Sequence, residues 1–349
     1  MAILTEPIPL GPNLVPRFYR GGGQLAAFRL AAGYEIPELA CEDWVGSVTR
    51  AWQPPGEAPS EIGLSRAPDG GRLADLLGLA PGAAPEPELA VLVKLLDAGQ
   101  RLPIHCHPSR DFAATHLGSA YGKAEAWIVL EAAAGAQVWL GWREPMSRSE
   151  LVDLIRSQRT AELLGAMAVA SVRAGDVVFV PAGVPHAIGP GIICVEVQEP
   201  TDFSIVAEWA AFPIDPADAA LGRDWDEMVD AFDTEPMPPP RLERLRQVPG
   251  AADDLAPGLR AVELLGPDAT PFFRATRLDL DGDASWPWRD DYVVAVVLAG
   301  VGEARGAAMS VSLGRGVTFA IPPGGGASVS LSGRVLTLVA CRPGLEPPA

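Results

Sequence analysis

The sequence predicts a mainly β protein made of two small β-barrels, with a helical insertion in the first and a helical, proline-rich connector between them. Three observations predict it. Valine-rich runs of strand character recur between about residues 124 and 200 and resume after about 263. WIVLEAAAGAQVWLG followed by VRAGDVVFVPAGVPHAI echoes VVLAGVGEARG followed by VSLGRGVTFAIPPGGGA. Each copy has a strand, a glycine turn, a strand and a G-x-x-x-hydrophobic-x-P segment, as expected of two units sharing one plan. The third observation is a change of period at SRSELVDLIRSQRTAELLGA, where leucines and Ile155 recur at helical spacing behind a Ser147 or Ser149 cap.

The elements follow in order. Up to about residue 85 the chain is rich in Gly, Pro and Ala, with strand-like QLAAFRL and WVGSVTRAW and a short helix near RLADLLGL. ELAVLVKLLD is apolar and buried, as either helix or strand. LPIHCHP leads into a polar loop, then the strands AEAWIVLEA and AQVWLGW. Strands resume after the insertion (about 147–168), with turns at Ala174-Gly175-Asp176 and Pro181-Ala182-Gly183. DPADAALGRDWDEMVDAFD reads as an acidic helix, and EPMPPPRLERL completes a connector. The expected organisation is residues 1–210 for an N-terminal segment plus a metal-binding barrel, 211–262 for the connector, and 263–349 for a second barrel without ligands.

Composition narrows the function. A net charge of -17 argues against nucleic acid or an anionic membrane as partner, since phosphates would be repelled. MAILTEPIPLGP lacks the basic start and apolar core of a signal peptide, and no apolar run is long enough to span a bilayer. Cys41, Cys106, Cys194 and Cys341 form no CxxC pair, which fits thiols in a reducing cytoplasm. Of the 27 basic residues only Lys94 and Lys123 are lysines. Lysine offers a compact ammonium with a shiftable pKa where a guanidinium would not serve.

Four histidines are present, and two stand one residue apart in LPIHCHP. On a strand, His105 and His107 point to one face and Cys106 to the other, so both imidazoles can meet one ion. Glu125 on the next strand can add an oxygen, and His186, after PAGVP, can close the site from a later strand. This donor set suits Zn²⁺ first, and also Fe²⁺, Mn²⁺, Co²⁺ or Ni²⁺. His116, in the polar loop, reads as a solvated surface residue. In the second copy GGGAS stands where the first has VPHAI, so that unit lacks the ligands.

HCHPSRD, GKAEAWIVLEA, PAGVPHAIGPG and EVQEPTDFS together resemble the type I mannose-6-phosphate isomerase family, whose members are two-barrel cupin (jelly-roll) proteins. The likeness extends to EDWVGS and VKLLDA, is dense from 90 to 205 and faint after 262. It implies a metal held by His105, His107, Glu125 and His186, with His105 where the family usually has glutamine. It places Lys94 and Lys123 on the lysines of the active-site pocket and Glu196 on a glutamate assigned to proton transfer. Two positions depart: Pro103 replaces a serine and Val206 an arginine, with no arginine close by in sequence. The implied activity is aldose–ketose isomerisation of mannose 6-phosphate or a related, unphosphorylated sugar. The same donors also describe an oxygen-activating cupin iron site or a non-catalytic sugar binder. The expected partner is a small sugar or sugar phosphate; the sequence leaves the oligomeric state open.

Overall fold

The computed structural model describes residues 5–29, 36–58, 60–80 and 84–347. The first four residues of MAILTEPIPLGP, and Leu30 of QLAAFRL, therefore lie outside the described residues. All named strand pairs are antiparallel and group into three sheets of eight, seven and five strands. The seven-stranded sheet is centred on Glu125–Ala132, Ile192–Gln198 and Leu92–Ala98. The five-stranded sheet contains Ile205–Val206, His105–Cys106, His186–Ile188, Gln137–Trp142 and Met167–Ser171. The eight-stranded sheet takes the C-terminal strands and, at one edge, Ile8–Leu10 paired with Thr318–Ile321.

The mainly β expectation stands, but the two closed barrels do not. Each sheet runs between two separate edge strands: Ile8–Leu10 and Asp253–Ala256, Arg246–Gln247 and Leu14–Val15, Ile205–Val206 and Met167–Ser171. A barrel requires the first and last strands of a sheet to pair. Here the sheets instead bury their faces against one another. Along Leu92–Ala98, Val93 and Leu95 join a core shared with Phe273, Val294 and Val339 of the eight-stranded sheet. Leu96 and Ala98 face the other way, towards Val138, Leu140 and Ile188 of the five-stranded sheet. Period-2 alternation is the same in a barrel strand and in a stacked sheet, so the sequence pattern did not separate the two.

The helical insertion forms two helices, Arg148–Arg156 and Thr160–Ala166, rather than one. The Ser147 hydroxyl caps the first by accepting from the Glu150 N–H at 3.3 Å. Gln158 breaks the run in a left-handed conformation, φ 47°. Its amide oxygen accepts from the N–H groups of Trp209 and Ala210, which ties the insertion to the chain after the last strand of the site. Leu151, Leu154, Ile155 and Leu163 pack on Cys106, Trp142, Ala187 and Ile205 and back the five-stranded sheet.

The expected connector, 211–262, carries short helices, Pro216–Ala219 and Trp225–Met228 among them, and also the strands Arg246–Gln247, Asp253–Ala256 and Leu259–Glu263. Three other local readings change. Residues Gln24–Arg29 are a helix, not a strand: Leu25, Phe28 and Arg29 are its buried positions, a helical spacing. WVGSVTRAW keeps strand pairing only through Val45, because Gly46 turns the chain at φ +61°. ELAVLVKLLD becomes a 3-10 turn at Pro87–Leu89 and then a wholly buried strand, Leu92–Ala98. A buried ion pair fastens the N-terminal segment: Arg29 Nε lies 2.6 Å from Asp43 Oδ2, and the same guanidinium donates to the carbonyls of Gly316 and Leu10. Among the described residues no helix is long and apolar enough to cross a membrane.

Candidate metal centre and sugar-sized cavity

The site lies between the five- and seven-stranded sheets. His186 is paired directly with His105 in the first. In the second, Glu196 is paired with Lys94, and Gln198 with Glu125. His107 follows the strand His105–Cys106, and Lys123 precedes the strand Glu125–Ala132. The period-2 pleat explains the grouping: Glu125, Lys94 and Glu196 share the face of Leu96, Trp127 and Cys194, while their neighbours enter the opposite core. Imidazoles thus arrive from one sheet, carboxylates and ammonium groups from the other.

The nitrogen atoms of His105, His107 and His186 offered as ligands lie within 4.8 Å of one another. Each Nδ1 sits 2.8 Å from a backbone carbonyl, of Pro103, Phe203 and Val184 respectively. A carbonyl only accepts, so each Nδ1 carries the proton and each Nε2 presents a lone pair, that of His107 accepting from Lys123 Nζ at 2.9 Å. Glu125 adds acceptors: Oε2 is 2.9 Å from His107 Nε2, and Oε1 is 3.3 Å from His186 Nε2. Glu125 Oε2 and His186 Nε2 are buried and make no hydrogen bond. Lys123 Nζ, 2.9 Å from His107 Nε2 and 3.2 Å from Glu125 Oε2, serves one of these acceptor pairs. His186 Nε2 faces Glu125 Oε1 with no donor among the described residues between them, which is costly in a buried space unless a cation stands there. The donor set therefore fits a divalent metal ion.

The titratable groups are held away from their ordinary values. Burial pushes His105 well below the imidazole range, helped by the neighbouring histidines, and lowers His107 to about 3, with Lys123 adding to the effect. Burial also lowers Lys123, although Glu125, 3.2 Å away, opposes it. Glu125 is held well below the carboxylate range because Lys123 and His107 outweigh its burial. Glu196 is raised by burial and by the charge of Glu125, despite Lys94 at 3.0 Å. Lys94 remains above its usual value because Glu196 and Glu42 outweigh its burial.

A metal-stripped sample should carry the mark of His107. Its folded pKa is depressed, so between about 6.5, the ordinary imidazole value, and about 3 the unfolded chain binds the extra proton. Stability should fall as pH drops through that window, and denaturant midpoints measured from pH 7 to pH 4 check it. His107→Asn should flatten the slope; an unchanged slope would exclude this residue as its origin.

The groups open onto a cavity of about 470 Å³, lined among others by Lys94, His105, Lys123, Glu125 and Glu196. Pro103 and Val206 form part of its wall. Five further charged residues line it: Asp215 and Asp218, and a cluster of Arg17, Glu42 and Asp202. Arg17 places its guanidinium fork on Asp202, at 2.7 and 3.0 Å, with Nε 3.1 Å from Glu42. Glu42, in EDWVGS, and Asp202, in EVQEPTDFS, lay within segments the sequence singled out. Arg17 carried no signal: it reaches the cavity from near the N-terminus, although no arginine stands close to Val206 in sequence. His116 corrects the other way. It lies on a π-helical turn, Ala113–Leu117, stacks on Phe112 and meets Glu227 Oε1 at 2.7 Å, so it is a half-buried packing residue in a helical segment.

A mainly β scaffold that buries a three-imidazole cluster at the wall of a cavity lined by paired lysines and carboxylates defines a metal-site protein of small-molecule dimensions. In sequence and in fold the chain resembles the mannose-6-phosphate isomerases. It is 30% identical over 199 residues to the mannose-6-phosphate isomerase ManA of Bacillus subtilis, covering 57% of this chain and 59% of that protein. To the mannose-6-phosphate isomerase of Streptococcus mutans it is 31% identical over 204 residues, again 57% and 59%. The match thus spans about three-fifths of the length of these relatives. The crystal structure of the mannose 6-phosphate isomerase from Bacillus subtilis shares the fold, with a TM-score of 0.68 at 22% identity over 96% of this chain and 99% of that one. No family model matches the chain.

Proposed function

We propose that the protein is a metal-dependent aldose–ketose isomerase of the mannose-6-phosphate isomerase kind, acting by enediol proton transfer. The observation that carries this reading is a three-histidine cluster that reaches, through His105, a cavity also lined by a raised carboxyl, Glu196, and a lowered ammonium, Lys123. His105, His107, His186 and Glu125 would hold the ion, with zinc the first choice for such donors and Fe²⁺, Mn²⁺, Co²⁺ or Ni²⁺ acceptable to them. When bound, a divalent ion supplies Lewis-acid polarisation of the sugar oxygens.

The chain's own groups divide the remaining work. Glu196 takes the proton from the carbon beside the carbonyl, its raised pKa bringing it closer to neutral pH than an ordinary glutamate. Lys123 donates to the oxygen that gains charge in the enediolate, and burial strengthens that contact. Lys94, 3.0 Å from Glu196, holds the carboxylate in place. A reducing, cytoplasmic setting belongs to the same reading, supported by four buried free cysteines.

The test is an NMR screen for solvent proton exchange at C1 and C2, run with metal-loaded protein on phosphorylated and free aldoses. Exchange with at least one aldose is expected, and Glu196→Gln should lower the rate by roughly 10²–10⁴-fold at unchanged metal content. Normal turnover in that variant would remove Glu196 as the base. Exchange with no sugar would leave a binding protein or an oxygen-activating iron site, and oxygen uptake would separate those two.

A further inference from the structure

We propose that the cavity takes an uncharged sugar rather than a phosphorylated one. The proposal deepens the isomerase reading and rests on it for the chemistry, but not for the ligand. Among the described residues, every cationic side chain lining the cavity is already engaged. Arg17 has its fork on Asp202 and its Nε near Glu42. Lys94 lies between Glu196, at 3.0 Å, and Glu42, at 3.5 Å. Lys123 stands 3.2 Å from Glu125 and 2.9 Å from His107 Nε2, which leaves one proton for the enediolate oxygen.

The balance of charge points the same way. Those three cations face six carboxylates along the lining, two of which, Asp215 and Asp218, stand on its solvent-facing side. Adding a divalent ion does not turn that lining positive. A phosphate monoester brings a further charge of about -1.5 to -2 at neutral pH. It is recognised by free guanidinium forks or clusters of unengaged donors. The one fork in this cavity is occupied, and Val206, buried and paired with His105, gives the neighbouring wall an apolar surface.

A neutral polyol meets what the wall does offer. Sugar hydroxyls donate to carboxylates such as Asp215 and Asp218, which hold no cation among the described residues, and Ser204 both donates and accepts. Tyr19 and Trp52 present aromatic surface to the apolar C–H face of a pyranose ring.

Matched pairs test this on the full, metal-loaded chain: mannose against mannose 6-phosphate, and glucose against glucose 6-phosphate. C2 proton exchange and calorimetric binding are read on each. The free sugar should win by about 10–10³-fold in kcat/KM or affinity, and added salt should narrow the gap by screening the rim charges. Asp215→Asn combined with Asp218→Asn should improve the phosphorylated partner relative to the free one. Preference for the phosphorylated sugar would overturn the proposal while leaving the isomerase reading intact. If no sugar exchanges, the isomerase reading fails and calorimetry still decides the ligand: free sugar bound and phosphosugar refused supports the proposal, whereas tighter phosphosugar binding, or binding of neither, overturns it.

Discussion

Replacing His186 with alanine is expected to deprive the protein of its divalent metal. The side chain is fully buried, paired with His105 across the sheet, and its Nε2 has no hydrogen-bond partner, so its donor capacity is directed wholly at the cluster. Removing an outer partner of a metal ligand typically costs 10–100-fold in affinity, and losing a ligand itself should cost more than about 10²-fold. The expected readings are a loss of bound metal after dialysis and a loss of metal-dependent stabilisation. Saturating metal at about 100 times its dissociation constant should raise the wild-type unfolding free energy by about 2.7 kcal/mol, and the variant's far less. The metal-free proteins should differ modestly, because alanine also relieves one lone pair of its crowded surroundings. Stoichiometric metal in the variant would place the binding site elsewhere.

Lys94→Met tests a different part of the cavity and should show the largest loss of stability. Methionine keeps most of the volume of the buried stem but removes the ammonium between Glu196 and Glu42, which also lies 5.0 Å from the centre of the Trp44 ring. Glu42 then keeps Arg17, while Glu196 loses its adjacent ammonium and retains only the more distant Lys123. Stranding a buried charge in this way costs about 3–5 kcal/mol. The pH dependence identifies the cause. In the wild type Arg17 and Lys94 outweigh burial and hold Glu42 below its ordinary value. Its contribution is therefore present above about pH 4.3, the unfolded carboxylate value, and is lost as pH falls through the lower folded value. Without Lys94 the two carboxyls protonate more readily in the folded state. The gap between variant and wild type should shrink from pH 7.5 towards pH 5 in urea denaturation; a constant gap would mean that packing, not charge, is responsible.

The metal cluster was legible because its chemistry is written in short-range spacing. His-x-His puts two side chains on one strand face, and only four histidines had to be allotted. The rest of the cavity depends on pairings that no local pattern encodes. Arg17 meets Asp202 from the far end of the chain, and whether it is an anion receptor or a paired structural cation follows only from that contact. The fold divides similarly. Alternating valines declare strands, but closure depends on which edges meet, and three stacked sheets satisfy the same alternation as two barrels. The helix at Gln24–Arg29 was missed because six residues give fewer than two turns of periodicity to read.

The strand Ile8–Leu10 has a consequence for how the molecule is made. Its partners, Thr318–Ile321, leave the ribosome more than 300 residues after it does. At about 5–20 residues per second, the nascent chain carries this apolar segment unpaired for roughly 15–60 s. Arg29 waits nearly as long for the Gly316 carbonyl. A segment made early is thus captured by one made much later, and a chain stalled between the two would leave an open sheet edge to whatever chaperone, or neighbouring copy, arrives first.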